Sequence, residues 1–210
     1  MKKILLLFIP VLLSLPAFSQ KAAKQPVQKS ALEYFQSGNK KFNAGKYAEA
    51  IKDYNEVLKQ EPEHVVTVTN RGIAKDRILD YRGAIEDFNK ALELDPKHVE
   101  AWTSRGLSKY NLQDYQGALK DFNNAVVLEQ REAKIYNNRG LARYALKDYR
   151  SALIDYGRAI TLNPKYGEAY YNRAAPKYNT GDKEGACADW VKASKLGVKE
   201  ADMYLKEYCN

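Results

Sequence analysis

Residues 136–149 read YNNRGLARYALKDY, and their Asn-Arg-Gly core returns three more times. It recurs as Asn70-Arg71-Gly72, as Ser104-Arg105-Gly106 and, with the glycine replaced, as Asn172-Arg173-Ala174. Each copy lies 34 residues from the last. Within the stretch, Tyr136, Gly140 and Tyr144 fall at four-residue steps, the spacing of one helix face. An arginine beside a glycine inside a packed helix, repeated at a fixed interval, points to an array of like units.

Other columns keep the same period. A small residue falls at Gly38, Gly72, Gly106, Gly140 and Ala174, and alanine recurs at Ala50, Ala84, Ala118, Ala152 and Ala186. An aromatic recurs at Tyr54, Phe88, Phe122, Tyr156 and Trp190, and a second aromatic column, Tyr47, Tyr81, Tyr115 and Tyr149, ends at Lys183. Each unit therefore predicts two helices joined by a short polar turn such as Lys147-Asp148. Pro62, Pro96 and Pro164 stop the second helix of units one, two and four, and Gln130 stands in that place in unit three. Gly140 and Ala152 lack bulk, so paired helices can approach there, and Tyr156 is expected to fill the gap toward the neighbouring unit.

These columns resemble the tetratricopeptide repeat signature of an aromatic, a glycine, an alanine, an aromatic, an alanine and a proline across 34 residues. The likeness runs through five copies and about 165 of the 210 residues. It implies an all-α, right-handed α-solenoid of five helix-turn-helix repeats with a C-terminal capping helix. The expected boundaries are a signal peptide at 1–19, a flexible leader at 20–30, repeats at 31–64, 65–98, 99–132, 133–166 and 167–197, and a cap at 198–210. Two features depart from the family. Its usual tyrosine three places after the glycine is Lys41, Lys75, Lys109, Arg143 and Lys177 here. Pro176 falls inside the first helix of repeat five, where it removes a hydrogen bond at a cost of roughly 3 kcal/mol and should kink or shorten that helix.

The arginines belong to repeats two to five, with Ser37 at their place in repeat one, whereas an aspartate occurs in every second helix. A column that starts one repeat late suggests pairing back across each junction: Arg71–Asp53, Arg105–Asp87, Arg139–Asp121 and Arg173–Asp155. Pairing inside one repeat is the competing geometry. Either way the guanidinium fork matches a carboxylate and sets the angle between helices, so the ladder reads as structural.

The resemblance implies that the first helices line a concave surface for protein or peptide partners. Its usual groove positions fall on Phe35, Asn39 and Phe42, on Thr69, Asp76 and Arg77, and on Thr103, Tyr110 and Asn111. In repeats four and five they fall on Asn137, Tyr144, Tyr171, Tyr178 and Asn179. Phe42, Tyr110, Tyr144 and Tyr178 would form an aromatic stripe interrupted by Asp76, suited to an extended peptide, unless the rings merely pack between helices. One subgroup of the family grips C-terminal carboxylates with groove lysines and arginines. Asn39 and Asn70 match it, but Phe35 and Glu100 stand where two of its cations would be, so that activity is not implied.

Lys2 and Lys3 precede an apolar run, residues 4–18, and Ala17-Phe18-Ser19 offers small residues for cleavage before Gln20. Removing residues 1–19 takes two lysines and no acid, lowering the formal charge from +8 to +6. Lysines and arginines interleave with acids along the chain, which argues against nucleic acid as a partner. The run is too short and too rich in proline for a stable membrane span. An exported chain meets an oxidising compartment, and Cys187 and Cys209 are the only cysteines. Antiparallel packing of the cap would bring Cys209 near Cys187 and close a disulfide, worth roughly 3 kcal/mol; two separately packed thiols are the alternative. His64 and His98 take the same place in repeats one and two, just after the proline and before the next helix, where exposed helix-entry residues are expected. No metal spacing, phosphate loop, cofactor motif or activated nucleophile is recognisable. The sequence thus predicts a non-enzymatic binding module in a bacterial envelope. A self-assembling structural role and a carbohydrate-binding role through the tyrosines are the alternatives.

Overall fold

A computed structural model describes residues 29–209, so the expected signal peptide and most of the expected leader lie outside the described residues. Eleven helices follow one another: α1 Ala31–Asn43, α2 Tyr47–Gln60, α3 Val65–Arg77, α4 Tyr81–Leu94, α5 Val99–Asn111, α6 Tyr115–Leu128, α7 Ala133–Ala145, α8 Tyr149–Leu162, α9 Gly167–Asn179, α10 Lys183–Lys195 and α11 Glu200–Tyr208. No strand occurs among the described residues. Each helix packs on the next, and α3, α5, α7 and α9 also touch in succession, so the odd-numbered helices line one face. The result is an α-solenoid closed by α11.

Local chemistry sets the helix ends. Asp80, Asp114, Asp148 and Asp182 cap α4, α6, α8 and α10, each carboxylate accepting from a backbone N–H three residues on, at 2.9 to 3.2 Å. Just before them the chain turns through left-handed backbone at Gly45, Leu79, Gln113, Lys147 and Gly181. Ser30, placed by sequence in the leader, caps α1 instead. Its hydroxyl accepts from the Glu33 N–H, and the Glu33 carboxylate accepts from the Ser30 N–H at 2.8 Å. Ser30→Ala should cost about 1 kcal/mol and lower the melting temperature by a few degrees; calorimetry showing no change would leave the cap without energetic weight. His64 and His98 are also helix-cap residues, and both are half-buried; the His64 ring lies edge-on to Phe35.

The glycine column answers a steric demand. A Cβ at Gly38, Gly72, Gly106 or Gly140 would stand 2.6 to 2.7 Å from the ring edge of Tyr54, Phe88, Phe122 or Tyr156 respectively. Each ring therefore lies flush on the glycine of its own repeat. The expectation that Tyr156 fills the gap toward a neighbouring repeat is corrected accordingly. The seam is dry: Tyr54, Phe88, Phe122 and Tyr156 are buried there with Ala50, Ala84, Ala118 and Ala152, and their removal from water stabilises each pair.

Three further expectations meet the coordinates. Pro176 does not shorten α9, which has 13 residues like α3, α5 and α7. It sits near the helix end, and its own carbonyl accepts from Thr180. The cap packs Ala201 and Tyr204 on Trp190, with Tyr204 stacked at 5.2 Å between ring centres. The Cys187 and Cys209 sulfurs lie at bonding distance, with their Cα atoms 5.7 Å apart.

Candidate functional site

The arginine ladder ties together the two helices of each repeat, and it is wired within repeats. Arg71 donates through Nε and Nη2 to Asp87 at 2.9 and 2.6 Å. Arg105 grips Asp121, Arg139 grips Asp155 and Arg173 grips Asp189 in the same two-pronged way. The junction pairs Arg71–Asp53, Arg105–Asp87, Arg139–Asp121 and Arg173–Asp155 do not form. The two helices of one repeat run antiparallel, which sets residue 7 of the repeat, in its first helix, against residue 23, in its second. What crosses the junction is the third prong: Nη1 of Arg71, Arg105 and Arg139 donates to Asn55, Asn89 and Asn123 of the preceding repeat. Gly157 removes that partner for Arg173.

A second cation completes each site. Lys41, Lys75, Lys109, Arg143 and Lys177, one turn after the arginines, reach Asp53, Asp87, Asp121, Asp155 and Asp189 at 2.7 to 2.9 Å. Each aspartate from repeat two onward thus sits buried between two cations. The hydrogen bonds it donates to Asp189 hold the Arg173 guanidinium above its ordinary pKa.

Ten of the fourteen groove positions divide into three groups. Of the others, Phe35 packs on Tyr54 and His64, Asp76 and Asn111 line a small cleft beside Arg77, and Asn179 donates to the Tyr144 hydroxyl. Asn39, Phe42, Arg77 and Thr103 line an open cleft of about 1080 Å³ that reaches from α1 to the head of α7. Its charged lining mixes Arg77, Arg131 and Lys134 with Glu100, Glu129 and Glu132, so neither sign dominates, while Phe42, Ile73 and Leu107 supply apolar floor. Tyr110, Tyr144 and Tyr171 line a second cleft of about 200 Å³ farther along the array. Trp190, of the packing column, and Tyr204, of the cap, complete its wall, and nothing in the repeat pattern marks either as a groove residue.

The third group does not face a groove. Thr69 is 0% exposed and Asn137 only 3%, where its carbonyl oxygen accepts from Asn172 at 3.0 Å. Both are core residues. Tyr178 packs on Trp190, 6.2 Å away, and on Tyr208, 5.1 Å away. No continuous stripe exists. Phe42, Tyr110 and Tyr144 each lean on the tyrosine that opens the next helix, Tyr47, Tyr115 or Tyr149, at 5.2 to 5.5 Å.

Burial raises the hydroxyl pKa of Tyr110, and raises that of Tyr171 to about 12 with help from a hydrogen bond to Tyr204. Both phenols stay neutral and available as hydrogen-bond donors across the physiological range. Among the described residues no acidic, histidine or cysteine cluster could hold a metal ion, and no helix is long and apolar enough to cross a membrane.

Comparison with known proteins agrees with this geometry. Models of the tetratricopeptide repeat match residues 34–64, 69–138 and 133–166. No curated protein matches significantly. Among solved structures, MamA is 27% identical, with 79% of this chain and 96% of that one covered and a TM-score of 0.69. MamA from Desulfovibrio magneticus RS-1, residues 41 to the end, is 22% identical over 81% of this chain and 97% of its own, with a TM-score of 0.74. YrrB, described as a TPR protein with an unusual peptide-binding site, is 18% identical over 85% and 92%, with a TM-score of 0.68. The last two likenesses, at such identity, speak to the fold.

Proposed function

The chain belongs to the tetratricopeptide repeat family, and from that premise we propose that its inner face takes an extended polypeptide in the bacterial envelope. Protein–protein interaction is the role that such repeats support. The observation that carries the choice of face is the large open cleft across four successive repeats, with apolar floor and charges of both signs. Side chains of either sign could be met there, and Asn39 and Asn70 offer amides to a peptide backbone. YrrB, with its peptide-binding site, supports the reading by analogy of fold.

Placement in the envelope rests on the export signal read in residues 1–19. An oxidising compartment would keep Cys187 and Cys209 joined. The absence of a recognisable nucleophile or metal spacing from the sequence, together with the typical role of the family, favours a scaffold without catalysis.

A photo-cross-linking amino acid at Arg77, exposed in the cleft, should capture a defined protein from envelope extracts. The same group at Lys120, exposed on α6 outside the cleft, should not. Capture at Lys120 alone would move the interface to the outer face. A product containing two copies of this chain would favour self-assembly.

A further inference from the structure

The aromatic column holds a mismatch in repeat four. In repeat one the Tyr54 hydroxyl is buried and donates to Asn39 Oδ1 at 2.8 Å. The residues at the Asn39 place in later repeats are Ile73, Leu107, Leu141 and Ala175. Repeats two and three answer the loss of the acceptor by losing the hydroxyl, with Phe88 and Phe122. Repeat four does not: Tyr156 keeps its hydroxyl opposite Leu141. Tyr156 is 0% exposed, and its oxygen has no hydrogen-bond partner. Phenylalanine would fit the same seam on Gly140 with no polar group to satisfy. A buried donor left open in this way calls for a partner that the chain itself does not supply.

Tyr156 lies at the second cleft, with Tyr110, Tyr144 and Tyr171 from the inner-face helices and Trp190 and Tyr204 behind them. At about 200 Å³ the space far exceeds the roughly 30 Å³ of one water molecule in the liquid, so a side chain fits. We propose that this cleft is a specificity pocket for an uncharged side chain of the partner polypeptide that ends in a hydrogen-bonding oxygen, glutamine or tyrosine in chemical class. The proposal rests on the reading of the inner face as the protein-binding surface.

Three features select that class. No lining residue carries a charge, and burying an unpaired charge is far costlier than burying an amide or phenol. The chain's net positive charge, +8 in full and +6 without Lys2 and Lys3, opposes a cation that would otherwise seek the ring faces. Ring walls favour a planar group, and the Tyr156 hydroxyl, closed to water in the free chain, gives it one directed contact when the rings of the wall part to admit it.

The pocket carries its own reporter. The chain has two tryptophans, so Trp102→Phe in the full chain leaves Trp190 alone, on the cleft wall. Blocked tripeptides Ala-Xaa-Ala, with Xaa as Gln, Tyr, Leu, Phe, Lys or Glu, are titrated while Trp190 is excited beyond tyrosine absorption. Gln and Tyr peptides should bind about tenfold tighter than Leu and Phe peptides. Tyr156→Phe should bring all four to within about twofold without lowering the melting temperature. Tyr54→Phe, which breaks a satisfied bond, should lower it. A preference that survives Tyr156→Phe, tightest binding by Lys or Glu, or a Trp190 response to an N-acetylglucosamine oligomer and to no peptide would each overturn the pocket. A partner captured at Arg77 while no peptide moves Trp190 overturns the pocket and leaves the groove standing. Selective peptide binding without any capture at Arg77 does the reverse.

Discussion

Asp155→Ala should destabilise the array by about 3 kcal/mol, lowering the melting temperature by roughly 6–12 °C. The carboxylate is 1% exposed and accepts from Arg139 Nε and Nη2 and from Arg143 Nη1, all within 2.7 to 2.9 Å. Removing it leaves two guanidinium groups side by side with no anion between them. Their side chains are 16% and 22% exposed, so water recovers part of the loss, which keeps the figure at the low end for a broken buried pair. Arg139→Gln should cost less, because Arg143 still neutralises Asp155. Arg143→Gln should behave likewise, and the double variant should approach Asp155→Ala. Equal losses for Asp155→Ala and Arg139→Gln in denaturant titrations would show that one arginine carries the site alone.

The same site shows where sequence reasoning succeeds and where it stops. The period and the helix pairs are legible because small and aromatic residues recur every 34 positions. The seating of each ring on the glycine of its own repeat, at Gly38, Gly72, Gly106 and Gly140, shows only once the helices are paired in space. Which aspartate an arginine meets is a question of helix register in space, and the interval of 34 is shared by both pairings. The late start of the arginine column points to junction pairing, which the structure does not have. The lysine column held the better clue. Lys41, Lys75, Lys109, Arg143 and Lys177 number five, as the aspartates do, so repeat one has its own cation in Lys41 and no deficit to explain. Groove positions transferred from the family fail at Thr69 and Asn137 for a related reason. Phe35, Thr69, Thr103, Asn137 and Tyr171 share one place in the repeat, yet how deeply each lies depends on the neighbouring repeat's side chains. Asn137 is drawn inward by Asn172, a contact that no single repeat contains. The Tyr156–Leu141 mismatch, in contrast, was visible in the aligned columns and needed only the knowledge that those two places face each other.

Breaking the bond between Cys187 and Cys209, by reductant or by Cys209→Ser, should remove roughly 3 kcal/mol and expose one face of Trp190. The loop enclosed spans 22 residues, and its closure limits the unfolded chain. The native side of the balance is local. Helix α11 has nine residues, too few to hold itself in water, and it has a neighbour on one side only. Its buried alanine, Ala201, and its stacked ring, Tyr204, keep it on α10, and the covalent link stops the far end from peeling away. An array without its cap presents the apolar flank of the last repeat to water, so loss should spread inward from α10 and leave α1 to α6 folded. Hydrogen exchange should therefore quicken in α9 to α11 under reductant and stay unchanged near the amino end. Trp190 emission should move to longer wavelength as Tyr204 leaves. Because Tyr204 is also a wall of the smaller cleft, peptides that bind there should weaken in step with that emission shift. A reduced chain with unaltered exchange in α11 would mean that ring stacking alone secures the cap, and that the sulfur link is dispensable to both the end of the array and the pocket beside it.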